Sequence, residues 1–482
     1  MRKSNVKTNT LYNTIKTLFG ILYPLITFPY ISRVLMAENV GKISFANSVV
    51  SYFSLIASLG VTTYAIRECA KVRDDQEKLN QTASQILSIN LVSTLVAYLA
   101  LAVTLIVARP LDHYRILICI QSATLILTTC GAEWLNTAME DFRYITIRTV
   151  SMQLLSLVLM FLFVKRPEDY LIYALISVVA SSGANIVNIF YRRKFCSTRF
   201  TLRMDLKKHL PPILLLFSVT FSQIIYTNSD TTILGLVRGD FEVGLYSVAV
   251  KIYHLVNTTI ASVAWVVMPR LSACFAKKDY PEVNRLLKYS MNFIIVLGLP
   301  CVVGINMIAK PIIYLMAGQE YLGAETALHI FTCTLFFSLL GGWIGNMTFL
   351  PAGREKICLF ASIMSALINI ILNLILIPFF GLNAAAATTA VAEWVGVVVL
   401  GRRMDKAIKI DGWGEMLKAP LIGSLAIVII AFASEMLFDS YVLIAVVTVT
   451  LSVIAYGVCL MLLKNEFLMG FLRPVLNKMK RG

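Results

Sequence analysis

The chain is written in long apolar runs separated by short polar breaks. Most runs come close to the ~20 residues an α-helix needs to cross a bilayer. They fall at about residues 10–36, 42–65, 82–107, 115–138, 144–164, 170–191, 211–237, 244–269, 289–315, 325–350, 357–377, 384–401, 419–437 and 441–463. The pattern predicts an all-α integral membrane protein with fourteen transmembrane helices. No polar break is longer than a loop, so no soluble domain is expected. The first run could pass for a signal peptide, but its apolar part is long, carries Pro24 and Pro29 and lacks a small-residue cleavage site, so it is read as a helix.

Composition agrees with the pattern. Of 482 residues, 58% are hydrophobic and 15% charged, where a soluble domain carries about 25% charged. Mean hydropathy is +0.75. The net charge of +16 raises the question of nucleic acid, but the basic residues are spread over many loops. Of the 43 Lys and Arg, 33 fall in alternate breaks that share one side and 7 in the others. That asymmetry predicts both termini in the cytoplasm and explains the charge by topology and anionic lipid headgroups, with no nucleic acid partner.

The longest basic break, 192–210, reads as a seam between two lobes. Its alternating Phe200, Leu202, Met204 and Leu206 suit a linker along the membrane surface, and Pro211 and Pro212 suit the start of the next helix. The expected organisation is an N-terminal lobe of six helices over 1–191, the linker, a second six-helix lobe over 211–401, and two further helices with a basic tail over 402–482. A repeat supports it. VGKISFA at 40–46 and VGLYSVA at 243–249 share Val, Gly, Ser and Ala at an offset of 203, which also brings Arg67 onto Arg270. Trp134 and Trp343 each precede a short loop ending in Arg143 or Arg354. Six spans per lobe make the repeat a parallel one.

Nothing in the chain supplies a catalytic centre. There is no P-loop, nucleophile elbow or GxGxxG, the four histidines are scattered, and the nine cysteines lack metal-ligand spacing. No catalytic residue, metal or cofactor is expected. What stands out is the set of charges inside apolar runs, since an ionisable group at mid-membrane costs roughly 2.5–3.5 kcal/mol and tends to line a path or polar pocket. The stretch 228–257 concentrates them, with Asp230 in one run and Lys251 and His254 in the next. Lys16 stands beside a polar face of Thr10, Asn13, Thr14 and Thr17, as a cavity-lining helix would present. Arg33 is a further candidate, although near a helix end it can snorkel to the interface. Glu133 can serve substrate or a structural ion pair, and Glu393, among small residues, an interhelical bond. Lys16 and Lys251 are expected to grip an anion from the two lobes, with Asp230 or Glu133 keeping a lysine charged. Pro24 and Pro29 are expected to interrupt the first helix, and Gly341, Gly342 and Gly345 to weaken the tenth.

Two blocks carry a family resemblance. TFPYISRVLMAENVGKISFANSVVSYFSLIASLGVTTYAIRE resembles the opening of the polysaccharide biosynthesis membrane proteins, the Wzx-type O-antigen and capsule flippases. NSDTTILGLVRGDFEVGLYSVAVKIY followed by VVMPRLS resembles their second lobe. The resemblance spans essentially the whole chain and places it in the multidrug/oligosaccharidyl-lipid/polysaccharide exporter superfamily. It implies two six-helix lobes around a cationic cavity, two extra helices, and a bacterial plasma membrane. The implied task is alternating-access transfer of undecaprenyl-diphosphate-linked oligosaccharide repeat units to the outer leaflet for O-antigen, capsule or exopolysaccharide. Polysaccharide polymerase and glycosyltransferases are the implied working partners. The alternatives are a cation-coupled multidrug or metabolite exporter, or a lipid II flippase, of the same superfamily. A membrane glycosyltransferase or polymerase would need acidic catalytic residues and usually a large outer loop, and every outer break here is short.

Overall fold

A computed structural model describes residues 6–405, 407–465 and 467–469; the expected tail residues Arg473, Lys478, Lys480 and Arg481 lie outside them. Among the described residues the fold is all-helical. Two compact units divide the chain at Gly244 and Leu245. The first holds α1 (Val6–Ser58), α2 (Val61–Lys71), α3 (Gln76–Val107), α4 (Arg115–Gly131), α5 (Glu133–Ala138), α6 (Phe142–Phe163), α7 (Tyr170–Val178), α8 (Ala184–Tyr191), α9 (Leu206–Arg238) and the first turn of α10 (Asp240–Ala261). The second holds the rest of α10, then α11 (Val263–Lys277), α12 (Tyr280–Met307), α13 (Ala309–Ala317), α14 (Glu325–Gly342), α15 (Glu355–Gly401), α16 (Trp413–Leu437) and α17 (Tyr441–Leu462).

Eleven helical stretches among the described residues are long and apolar enough to cross a membrane, or up to twelve if the pair bent by 48° at α10 and α11 is one span. Two of the eleven are far longer than one crossing. Thr8–Lys71 runs for 64 residues and Glu355–Gly401 for 47, about three and two thicknesses of the hydrocarbon core. Each is interrupted by a residue off the helical backbone, Met36 at φ 64° and ψ 168° and Gly381 at φ 56° and ψ −137°.

Several boundaries differ from expectation. Pro24 and Pro29 do not interrupt the first helix; α1 continues through both and departs from helical geometry at Met36. Packing against neighbouring helices tolerates a missing N–H that would break an isolated helix. The helix after the linker begins at Leu206, so Pro211 and Pro212 lie within α9 rather than at its start. The fourth run is split at Ala132, and the weak point expected around Gly341 to Gly345 is a π-helical segment, Trp343–Phe349.

The linker is tied to α3 by side chains that meet its backbone. The N–H groups of Ser197, Arg199 and Thr201 donate to Asn80 Oδ1 (2.9 Å), Ser84 Oγ (3.1 Å) and Ser88 Oγ (2.9 Å). Two residues of extended chain advance about as far as one helical turn, so alternate N–H groups meet side chains four residues apart. Phe200 and Leu202 are left exposed. His209, fully buried, bonds Tyr64 and Gln85, and Gln85 Nε2 donates to the Arg203 carbonyl, which anchors the start of α9.

Two glycines from the repeated heptapeptides make the closest helix approach. Within the first unit, a Cβ on Gly41 would collide with the Asp240 carbonyl, and one on Gly244 with the Ala37 carbonyl. Hydrogen in place of a side chain is what lets the α1 and α10 backbones touch. In the second unit, Pro300 lacks the N–H that would bond the Val296 carbonyl four residues back. The Tyr456 hydroxyl of α17 donates to that carbonyl at 2.7 Å. Gly423 of α16 admits the Tyr456 ring, whose Cδ2 would lie 2.5 Å from an added Cβ. The last two helices are thus fitted to the proline position in α12.

Candidate functional site

The polar site of the first unit is set by the break in the fourth run. Ala132 takes a left-handed conformation (φ 49°, ψ 50°), ending α4 and starting α5 at Glu133. A helix end in an apolar bundle leaves carbonyls to be satisfied. Asn188 Nδ2 fills that need, donating to the Gly131 carbonyl at 2.7 Å, and the same amide pairs with Asn136 on α5. Gly131 allows this approach because a Cβ there would lie 2.5 Å from Asn185. The π-helical segment Val179–Gly183 just before α8 shifts the register that presents Asn185 and Asn188.

Glu133, fixed at the head of α5, is shared by two cations. Lys16 Nζ of α1 lies 3.1 Å from Glu133 Oε1, and Arg148 of α6 donates through NH2 to Glu133 Oε2. The surroundings of the cations differ. The Arg148 side chain is 3% exposed, that of Lys16 35% and that of Glu133 36%. Arg148 also donates to the Ala184 carbonyl at 3.2 Å and lies over the Tyr144 ring at 5.5 Å. Its buried Nε has no partner among the described residues. Tyr144 stacks on Tyr191 at 3.5 Å, and Tyr191 donates to Asp141, whose other oxygen caps α6 at the Tyr144 N–H. Thr146 donates to the Tyr12 carbonyl (2.9 Å), one turn before Lys16, and so holds α6 against α1.

Two cations and one carboxylate leave one net positive charge, with Lys16 and Glu133 half-buried and Arg148 buried. An incoming anion can take Lys16 from Glu133 without exposing Arg148. Thr10, Asn13, Thr14 and Thr17 are exposed on the same helix.

The structure therefore brings together Lys16 and Glu133 of the expected candidates. Arg33 is exposed and donates to the Pro29 carbonyl at 2.7 Å, three residues before the break at Met36. Asp230 is buried on α9, two residues before Thr232, which bonds Ser48 and Tyr52 of α1. In the second unit, Lys251 and His254 are exposed on α10, and Glu393 is half-buried on α15.

Sequence reasoning missed Arg148. It stands only a few residues into the run 144–164, where a basic residue reads as part of the adjoining loop; α6 begins at Phe142 and places it buried in the second turn. Asp141 was the available signal, since an aspartate just before an apolar run marks a helix start. The asparagines at 136 and 188 gave no signal, because their pairing depends on the break at Ala132.

A family model described as polysaccharide biosynthesis protein matches residues 6–275, and a MatE model matches residues 216–375. A putative O-antigen transporter of Shigella dysenteriae is 24% identical over 372 residues, 75% of this chain and 90% of that protein. The capsular polysaccharide biosynthesis protein CapF of Staphylococcus aureus is 20% identical, over 81% of this chain and 97% of its own length. A solved structure of the lipid II flippase MurJ, in an inward closed conformation, superposes with a TM-score of 0.78 at 15% identity, covering 96% of this chain and all of that one.

Proposed function

The chain belongs to the polysaccharide biosynthesis protein family, and from that premise we propose that it is a flippase for a lipid-diphosphate-linked oligosaccharide. The substrate class proposed is the undecaprenyl-diphosphate-linked repeat unit of an O-antigen, capsule or exopolysaccharide. The observation that carries the reading is the Lys16–Glu133–Arg148 network. It offers one net positive charge within the first unit, with the exchangeable Lys16 half-buried and Arg148 buried. A diphosphate competes with Glu133 for Lys16 through charge-assisted hydrogen bonds. An exporter of cationic compounds would be served by a net negative site. Lys251 is proposed as a cationic contact of the second unit with His254 as a polar contact beside it, Arg33 as a contact near the helix end, and Asp230 as a buried partner that keeps a cation charged.

Orientation follows the 33-to-7 distribution of Lys and Arg, which supports cytoplasmic termini in a bacterial plasma membrane. Counting Thr8–Lys71 and Glu355–Gly401 as two crossings each, and the bent pair at α10 and α11 as one, gives fourteen spans, with α16 and α17 following two sets of six. Binding on one side and release on the other need two states of different affinity for the diphosphate. Outward movement of an anion runs with an inside-negative potential, which contributes about 2.3 kcal/mol per charge per 100 mV.

Cells test this reading. A strain deleted for the gene should accumulate lipid-linked repeat units in the inner leaflet and lack surface glycan, and the wild-type gene should restore both. A deletion strain with unchanged surface glycan would contradict it.

A further inference from the structure

The second unit contains a cavity of about 380 Å³ that the charge network does not use. It lies where the end of α11, the loop 350–354, Asp405 and Ile408 meet. Its volume is within the ~300–1,000 Å³ of small-molecule sites, toward the small end, enough for a sugar ring or two but not a whole repeat unit.

The lining is mixed in a specific way. Phe275, Tyr280 and Phe349 supply aromatic rings, and Arg354 and Asp405 stand side by side with NH2 and Oδ2 3.4 Å apart. Thr348 is 2% exposed, and its buried Oγ1 has no hydrogen-bond partner among the described residues. A buried hydroxyl left unbonded costs free energy that a ligand can recover. The π-helical segment Trp343–Phe349 is what turns Thr348 to this place, and such segments concentrate at functional sites.

Arg354 is paired with the Asp405 carboxylate, and Lys278, also in the lining, adds a second cation. Neighbouring hydroxyls of a sugar can use this set together, because one donates to the carboxylate while the next accepts from the guanidinium or the ammonium. The aromatic residues in the lining offer apolar surface for the sugar's C–H groups, and Thr348 can give or take a further bond. We propose that this cavity binds a sugar residue of the glycan. The proposal rests on the flippase reading for the source of the sugar. It also agrees with that reading's orientation, since the lining residues Lys278 and Arg354 belong to the breaks counted on the side proposed as cytoplasmic.

Saturation-transfer NMR on the full chain in detergent tests it, with two probes: glycan released by mild acid from the source strain's lipid-linked pool, and inorganic pyrophosphate. The expected result is transfer to the glycan's ring protons, weakened about tenfold in affinity by Asp405→Ala or Arg354→Ala, as loss of a charge-assisted bond should do. Thr348→Val keeps the shape and should weaken binding several-fold, which serves if the loop variants fail to accumulate. Lys16→Ala should leave the signal unchanged. No transfer to the glycan, equal transfer in all variants, or displacement of the glycan by pyrophosphate would each overturn the proposal. The two readings separate cleanly. Translocation by wild type with glycan binding indifferent to Asp405 would sink the saccharide site alone. Glycan binding that needs Asp405, in a protein that translocates nothing, would sink the flippase reading alone.

Discussion

Lys16 and Arg148 hold the same carboxylate, yet they stand to lose different things when it is removed. Arg148 is almost wholly buried, so Glu133→Ala leaves an uncompensated charge inside the bundle, at a cost of about 3–5 kcal/mol. Lys16 is one-third exposed and would turn to water. Thermal unfolding in detergent should therefore show a clear loss of Tm for Glu133→Ala and little change for Lys16→Ala, while Lys16→Ala abolishes transport. Lys16→Arg should keep part of the activity, since the charge survives in a different shape. Equal stability of all three would remove Arg148 from the account. Lys16 and Glu133 were legible as charges in apolar runs. Arg148 was hidden, because a basic residue near a loop looks the same in sequence whether it faces water or is buried behind a carboxylate.

At the scale of elements, the apolar runs announced most helices, but helix breaks followed tertiary contacts. Pro24 and Pro29, the strongest local breakers, sit inside a continuous α1. Ala132, among the best helix formers, takes the left-handed turn because Asn188 satisfies the freed carbonyl. The linker's alternating residues were visible, but its attachment to Asn80, Ser84 and Ser88 was not, since those are ordinary polar residues at a helix end. That attachment predicts a measurable protection. Cys196, adjoining the strapped segment, is 2% exposed, and burial pushes its thiol up to about 11. Its thiolate fraction at neutral pH is small. N-ethylmaleimide at pH 7 should label Cys196 slowly in the folded wild type, as read by mass spectrometry. The combined Asn80→Ala, Ser84→Ala and Ser88→Ala variant should label it much faster. Unchanged labelling would mean that the side-chain bonds to the linker do not hold it.

At the scale of the whole molecule, class and family were legible because a bilayer imposes a length and a polarity that composition must obey. The number of crossings was less so, since Met36 and Gly381 turn the chain without a polar break and leave two long helices where four runs were expected. Reporter fusions decide that count: after Lys194 and after Gly482 they should read cytoplasmic, and at Asp439 periplasmic or extracellular. A cytoplasmic signal at Asp439 would remove the last hairpin from the count. The central claim is that a half-buried cation beside Glu133 moves a lipid diphosphate without nucleotide. Its most direct test is translocation of a lipid-diphosphate oligosaccharide in proteoliposomes of the purified chain, with no ATP present. Wild type should transfer the lipid between leaflets, faster with a potential that drives anions in the transport direction, and Lys16→Ala should not. Strict dependence on ATP, or Lys16→Ala transferring at the wild-type rate, would contradict the account.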